Sequence, residues 1–138
     1  MQFEEKITIN ASASEIFSVY ENVENWSDWD PDVKASSIDG NFETGSKGSI
    51  HPTKGPKSSV VFSQIVPNES FTVDSNLPLC SLRFEHELLV NDSNSTEAIH
   101  RVTFRGFLSP VFGRIIGSQI RKGMPHTLLG LKNKAENS

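Results

Sequence analysis

Cysteine is all but missing from this chain. Cys80 stands alone among 138 residues, so no intrachain disulfide framework can hold the fold. Long apolar runs are missing as well. None approaches the ~18 residues that a membrane-spanning helix needs, and no apolar segment follows Met1 as it would in a signal peptide. Together these absences predict a soluble, cytoplasmic protein with no stable membrane insertion. There is no cationic excess: 13 Lys and Arg against 17 Asp and Glu leave a net charge of -4. That is the wrong sign for neutralising phosphates, so nucleic acid is not an expected partner. No glycine-rich phosphate loop, paired-carboxylate motif or G-x-S-x-G elbow occurs. His51, His86, His100 and His126 show no H-x-x-x-H spacing, so neither a metal nor a cofactor is expected. No repeat or low-complexity linker divides the chain, and its length suits one domain over residues 1–138.

What is present has an ordinary globular composition, 36% apolar and 22% charged. The charge is distributed unevenly. Residues 1–43 carry ten acidic side chains against Lys6 and Lys34, whereas residues 101–138 carry seven basic ones against Glu136. The plain reading is that the two regions are neighbours in the fold. A basic helix face meeting an anionic membrane surface, or a partner protein, is the alternative.

The segment Ser109 to Asn137 organises the rest. Ser109-Pro110 is a helix start, with a capping hydroxyl and a proline whose missing N–H is not needed at the first position. Phe112, Ile115, Ile116, Ile120, Met124, Leu128, Leu131 and Ala135 recur at helical spacing. That face must lie across something apolar. Gly113, Gly117, Gly123 and Gly130 each cost about 1 kcal/mol against Ala, and Pro125 predicts a kink. The segment reads as a soft helix resting on a sheet.

Upstream, Phe3–Asn10 alternates as a strand. Ser12-Ala13-Ser14-Glu15 fits a capping box opening a short helix whose apolar face is Ile16, Phe17, Tyr20 and Val23. Asn22 is expected to cap a second short turn carrying Trp26. Strands are predicted at Val33–Ile38, Lys47–His51, Ser58–Val66, Ser70–Ser75, Leu79–Val90 and Thr96–Leu108. The short Gly-, Pro- and Asn-rich connections between them predict an antiparallel meander. Two of these connections, Pro52–Lys57 and Asn76–Pro78, are expected to border an opening.

The two longest strands carry the sharpest local signal. Leu82, Phe84, His86, Leu88 and Val90 share one phase, as do Ala98, His100, Val102, Phe104 and Gly106, and the opposite phase is mainly polar. Both histidines therefore point where the phenylalanines point. A loop at Asn91–Ser95 places Val90 opposite Thr96 and His86 opposite His100, with Cβ atoms about 5 Å apart. The pair reads in three ways: a satisfied structural pair, a polar anchor or acid–base pair in an apolar pocket, or a metal site.

Several segments in order carry a resemblance: Ile9-Asn10-Ala11 into Ser14-Glu15-Ile16-Phe17, Trp26-x-x-Trp29-Asp30-Pro31, Gly45-Ser46, Phe84-Glu85-His86, and Thr103-Phe104-x-Gly106 before the last helix. The chain resembles the polyketide cyclase/dehydrase family of the START-related, birch-pollen-allergen-like superfamily. It departs from that family in having Ser12 or Ser14 where proline often precedes the first helix. The resemblance implies an α+β helix-grip fold. A curved, seven-stranded antiparallel sheet would wrap around the long C-terminal helix, with two short helices between strands 1 and 2 and a cavity between sheet and helix. It implies no shared catalytic set, so reaction and substrate do not transfer.

The expected function is binding of a small, largely apolar molecule, lipid-, polyketide- or aromatic-like. His86 and His100 would form the polar end of the pocket, and Phe84, Val102, Phe104, Phe112, Ile116 and Ile120 its walls. Trp26 and Trp29, with Tyr20, would line the mouth or belong to the core. A cyclase- or dehydratase-type enzyme would use the same two histidines as catalytic acid and base. A protein-interaction module is the remaining class.

Overall fold

In the computed structural model, residues 2–77, 80–106 and 109–137 are described. The chain runs β1 (Gln2–Ile9), α1 (Ala13–Glu21), a 3-10 helix (Val23–Asp28), β2 (Val33–Ile38), β3 (Lys47–Pro52), β4 (Ser58–Val66), β5 (Ser70–Leu77), β6 (Cys80–Asp92), β7 (Ser95–Arg105) and α2 (Ser109–Glu136). The strands form one seven-stranded sheet in the order β1-β7-β6-β5-β4-β3-β2. Every neighbouring pair is antiparallel. Short connections dictate the meander from β2 to β7. Only β1 is placed by a long excursion, pairing with the last strand and leaving β1 and β2 as edges.

Local chemistry sets the helix starts. Ser12 Oγ accepts from the Glu15 N–H at 3.2 Å, and Glu15 Oε1 accepts from the Ser12 N–H at 3.1 Å, closing the capping box. The second cap differs from expectation: Asn22 makes no side-chain cap bond to the 3-10 helix. Its Oδ1 instead accepts from Asn25 Nδ2 at 2.8 Å, so the side chain is already engaged. The cap expected at Ser109, and the strand end expected at Phe107 and Leu108, lie outside the described residues. So do Pro78 and the side chains of Phe112 and Ile116.

The β6–β7 hairpin is tighter than a five-residue loop. Asp92 pairs with Ser95, and the ladder shifts between Val90 and Asp92. Asn91 is thus a bulge, and Asp92 Oδ1 accepts from the Asn94 N–H at 2.9 Å across the turn. The bulge leaves Val90 opposite Thr96, so the register matches the one expected from the looser loop.

Helix α2 packs against β1, β7, β6 and α1. It runs unbroken past the exposed Pro125 to Glu136. Its glycines mark close approaches. A Cβ on Gly130 would stand 1.8 Å from the backbone oxygen of Trp29, and one on Gly123 would stand 2.0 Å from Asp32 Oδ2. The propensity cost of these glycines is therefore offset by letting the segment Trp29–Asp32 lie directly on the helix. Thr127, between them on the same face, donates to Asp30 Oδ1 at 2.8 Å. At the far end Lys132 donates to the Thr8 carbonyl at 3.2 Å and pairs with Glu136, which accepts from the Asn10 N–H at 2.8 Å.

The acidic and basic regions meet on the outer face of the sheet. Arg101 reaches Glu4 at 2.7 Å, Glu87 at 3.0 Å and Glu85 at 3.4 Å, across β1, β7 and β6. No helix among the described residues is long and apolar enough to cross a membrane.

Two predictions follow from the docking of α2. Gly130→Ala raises helix propensity by about 1 kcal/mol but drives a methyl into backbone. Urea melts should show a net loss on the order of 1–2 kcal/mol, overpacking outweighing propensity; a stabilised variant would refute the close approach. Burial pushes the Asp30 carboxyl up to about 6, against accepted bonds from the Asp32 N–H and Thr127 that favour the charge. The folded state then holds a proton that the unfolded chain has released, so this group's contribution falls as pH rises from about 4 to about 6. Asp30→Asn keeps the acceptor and removes the charge. Its stability relative to wild type should rise across that window and stay level above it.

Candidate functional site

The inward phase of β6 and β7 is paired in steps: Leu82 with Phe104, Phe84 with Val102, His86 with His100, Leu88 with Ala98. The expected histidine pair is therefore present. The imidazole centroids are 4.6 Å apart with planes at 76°, an edge-to-face arrangement.

The pair stands at a seam. One apolar cluster contains Ile9, Ile16, Phe17, Tyr20, Trp26, Phe71, Leu88, Ala98, Leu128 and Leu131 among others. A second contains Cys80, Leu82, Val102, Phe104 and Met124, with Ile120 and Phe3 packed against it. Phe84 touches both clusters. Along β6, Leu82 and Leu88 are each 6% exposed, yet Phe84 and His86 between them keep more accessible surface. Strand pleating puts all four on the inner face, where Phe84 and His86 are less completely covered than the two leucines.

Each imidazole has its own partner. His86 Nδ1 lies 3.1 Å from the Phe71 carbonyl oxygen on β5, and its ring stacks on the Phe71 ring at 3.9 Å. His100 Nε2 shares a hydrogen bond of 2.8 Å with the Tyr20 hydroxyl on α1. The sequence left Tyr20 at the mouth or in the core. It is fully buried in the core and holds the second histidine. Its place on the buried face of α1 was legible, but its partner 80 residues away was not.

Burial dominates the electrostatics. Desolvation lowers His86 to about 4, against the hydrogen bond to Phe71 that favours its charge. Desolvation also holds His100 well below its ordinary value, and the neighbouring His86 adds to this. Burial pushes the Tyr20 phenol up, so it stays protonated. Both imidazoles are neutral at pH 7, and two imidazolium ions this close would repel.

The other candidates are placed as follows. Trp26 is buried, packs near Phe62 and Phe71, and donates from Nε1 to the Tyr20 carbonyl at 3.0 Å. Trp29 is buried with its ring centroid 6.2 Å from that of Tyr20, and its Nε1 has no partner among the described residues. Val102 and Phe104 are buried in the second cluster, with Ile120 beside them. Phe112 and Ile116 belong to α2, and their side chains lie outside what is described. His51 on β3 and the exposed His126 on α2 stand apart from the pair, and no group of three or more metal-ligating side chains forms among the described residues.

Two surface clefts flank α2. One, of about 400 Å³, is lined by Asp28, Trp29, Gly130, Asn133, Lys134 and Asn137. The other, of about 260 Å³, is lined by Gln2, Phe3, Glu4, Glu5, Arg121 and Met124. Neither reaches His86 or His100.

The histidines predict a pH signature. A lowered folded-state value means that the fold resists a proton the unfolded chain takes up near 6.5. Stability from this source is complete above that pH and is lost as pH falls toward about 4. Imidazole NMR should show His86 titrating near that lower value and His100 well below its ordinary range. Independent midpoints near 6.5 for both would mean that the pair is open to water.

The comparisons with known proteins agree with this architecture. The Zhui aromatase/cyclase from a Streptomyces species superposes with a TM-score of 0.80 at 14% identity, covering 99% of this chain and 93% of that one. A START superfamily protein from Mycobacterium smegmatis gives 0.77 at 14% identity, with 99% and 97% covered. Norcoclaurine synthase from Thalictrum flavum gives 0.75 at 16% identity, with 97% and 91% covered. At these identities the likeness concerns the fold, the helix-grip arrangement of a curled antiparallel sheet and a long C-terminal helix. No curated protein matches significantly in sequence. The family model described as polyketide cyclase / dehydrase and lipid transport matches residues 1–136, and this chain belongs to that family.

Proposed function

We propose that this chain is a single ligand-binding domain that holds a small, largely apolar molecule between its sheet and α2. The molecule is lipid-, polyketide- or aromatic-like. The observation that carries this reading is the seam. Two apolar clusters meet near the inward step of the β6–β7 ladder at which both partners are polar, His86 with His100, and Phe84 and His86 keep some accessible surface there. An apolar body with one polar end fits such a place. Phe84, Val102, Phe104 and Ile120 would supply walls, and His86 and His100 the polar end.

A catalytic reading is favoured by one specific contact. Tyr20 and His100 form a buried phenol–imidazole hydrogen bond of 2.8 Å beside a second neutral imidazole. Such a set can take up and return a proton, as a cyclase- or dehydratase-type reaction on a bound polyketide-like substrate requires. His86 would then be the proton acceptor, and Tyr20 a positioning residue for His100.

Native mass spectrometry of freshly purified protein tests for a co-purified molecule. Titration with naphthalene, followed by amide and side-chain NMR, tests the place. The expected result is saturable 1:1 binding with the largest shifts at Phe84, His86 and His100. Shifts confined to the clefts beside Trp29 or Phe3 would overturn the proposal.

A further inference from the structure

The Phe71 carbonyl oxygen can only accept a hydrogen bond, so the hydrogen in its 3.1 Å contact with His86 belongs to Nδ1. A neutral imidazole carries one ring hydrogen. His86 Nε2 is therefore a bare lone pair, set at the end of the ring away from Cβ. Among the described residues nothing donates to it. The Tyr20 hydroxyl is engaged with His100, the Trp29 N–H has no acceptor, and His100 meets His86 edge to face. The residue keeps some accessible surface. Nε2 is thus an acceptor with no donor among the described residues, at the seam between the apolar clusters.

Building on the pocket reading above, we infer that the site selects a ligand whose polar end is a neutral hydrogen-bond donor. A phenol, enol or alcohol hydroxyl on an apolar body would be received by His86 Nε2. The physical reason is the fixed tautomer. An ether or ketone oxygen would face the lone pair with one of its own. A carboxylate would have to shed its hydration among apolar side chains, and the bare Nε2 offers it no hydrogen. Protonation of His86 could reverse this preference, but burial keeps the ring neutral until about pH 4.

The test uses four probes of one skeleton at pH 7.5 with the full chain: naphthalene, 2-methoxynaphthalene, 2-naphthol and 2-naphthoate. The naphthol should bind about tenfold tighter than the hydrocarbon and the ether, the worth of one well-made hydrogen bond. The naphthoate should bind most weakly. In His86→Phe the hydrocarbon should still bind and the preference for naphthol should vanish. Should that variant fail to fold, ¹⁵N spectra of wild-type imidazoles decide. The free protein should show the Nδ1–H tautomer of His86, and Nε2 should move upfield when naphthol binds. An Nε2–H tautomer, or a naphthol no tighter than the ether, overturns the inference while leaving the pocket standing. If no probe shifts Phe84 or His86, the pocket reading fails and takes this inference with it.

Discussion

The pairing of β6 with β7 is the constraint on which the site and much of the fold depend. A tight turn with one bulged residue, Asn91, sets the register, and the register places every inward side chain. A slip of β6 by one residue would turn Phe84 and His86 to the charged outer face, away from His100, and would part Glu85 and Glu87 from Arg101. The same register gives β1 its place beside β7, and β1 in turn receives α2. The ion cluster on one face and the apolar clusters on the other agree on a single alignment.

Helix α2 illustrates a different balance. Its glycines lower helix propensity, and an account built on propensity alone sees a weak element. The tertiary contacts reverse that judgement at Gly123 and Gly130, where a side chain would collide with Asp32 or with Trp29 backbone. Thr127 and Asp30 fill the space between, and the carboxylate bears a desolvation cost for being there. The Trp-x-x-Trp-Asp-Pro stretch is thereby a docking segment for the helix as well as part of the aromatic core.

The histidine site combines two terms of opposite sign. Burial disfavours charge on either ring, and each ring nevertheless has a hydrogen-bond partner, so the neutral forms are well accommodated. The partners differ in kind. A backbone carbonyl imposes a tautomer on His86, whereas a phenol leaves His100 able to exchange roles with it. Two imidazoles in one ladder step are thus chemically unlike. Family membership supplies the fold around them and leaves their chemistry to this chain's own residues.

Much of this was legible in the residues. Alternation in β6 and β7 put both histidines on the inner face, and a loop placed at Asn91–Ser95 set them opposite each other, a register that the tighter turn keeps through its bulge. The capping box at Ser12 and Glu15 and the apolar face of α2 were local signals, and the structure bears out the box and the face from Met124 to Ala135, whereas Ile115, expected on that face, is 63% exposed. What only tertiary structure decided were contacts between distant segments: Tyr20 on His100, Thr127 on Asp30, and Gly130 under Trp29. Asn22 shows the limit even locally, since its side chain had two available partners and took Asn25. Periodicity determines which face a side chain joins. Its partner on that face depends on how separate elements close on one another, and no spacing within a single element encodes that distance.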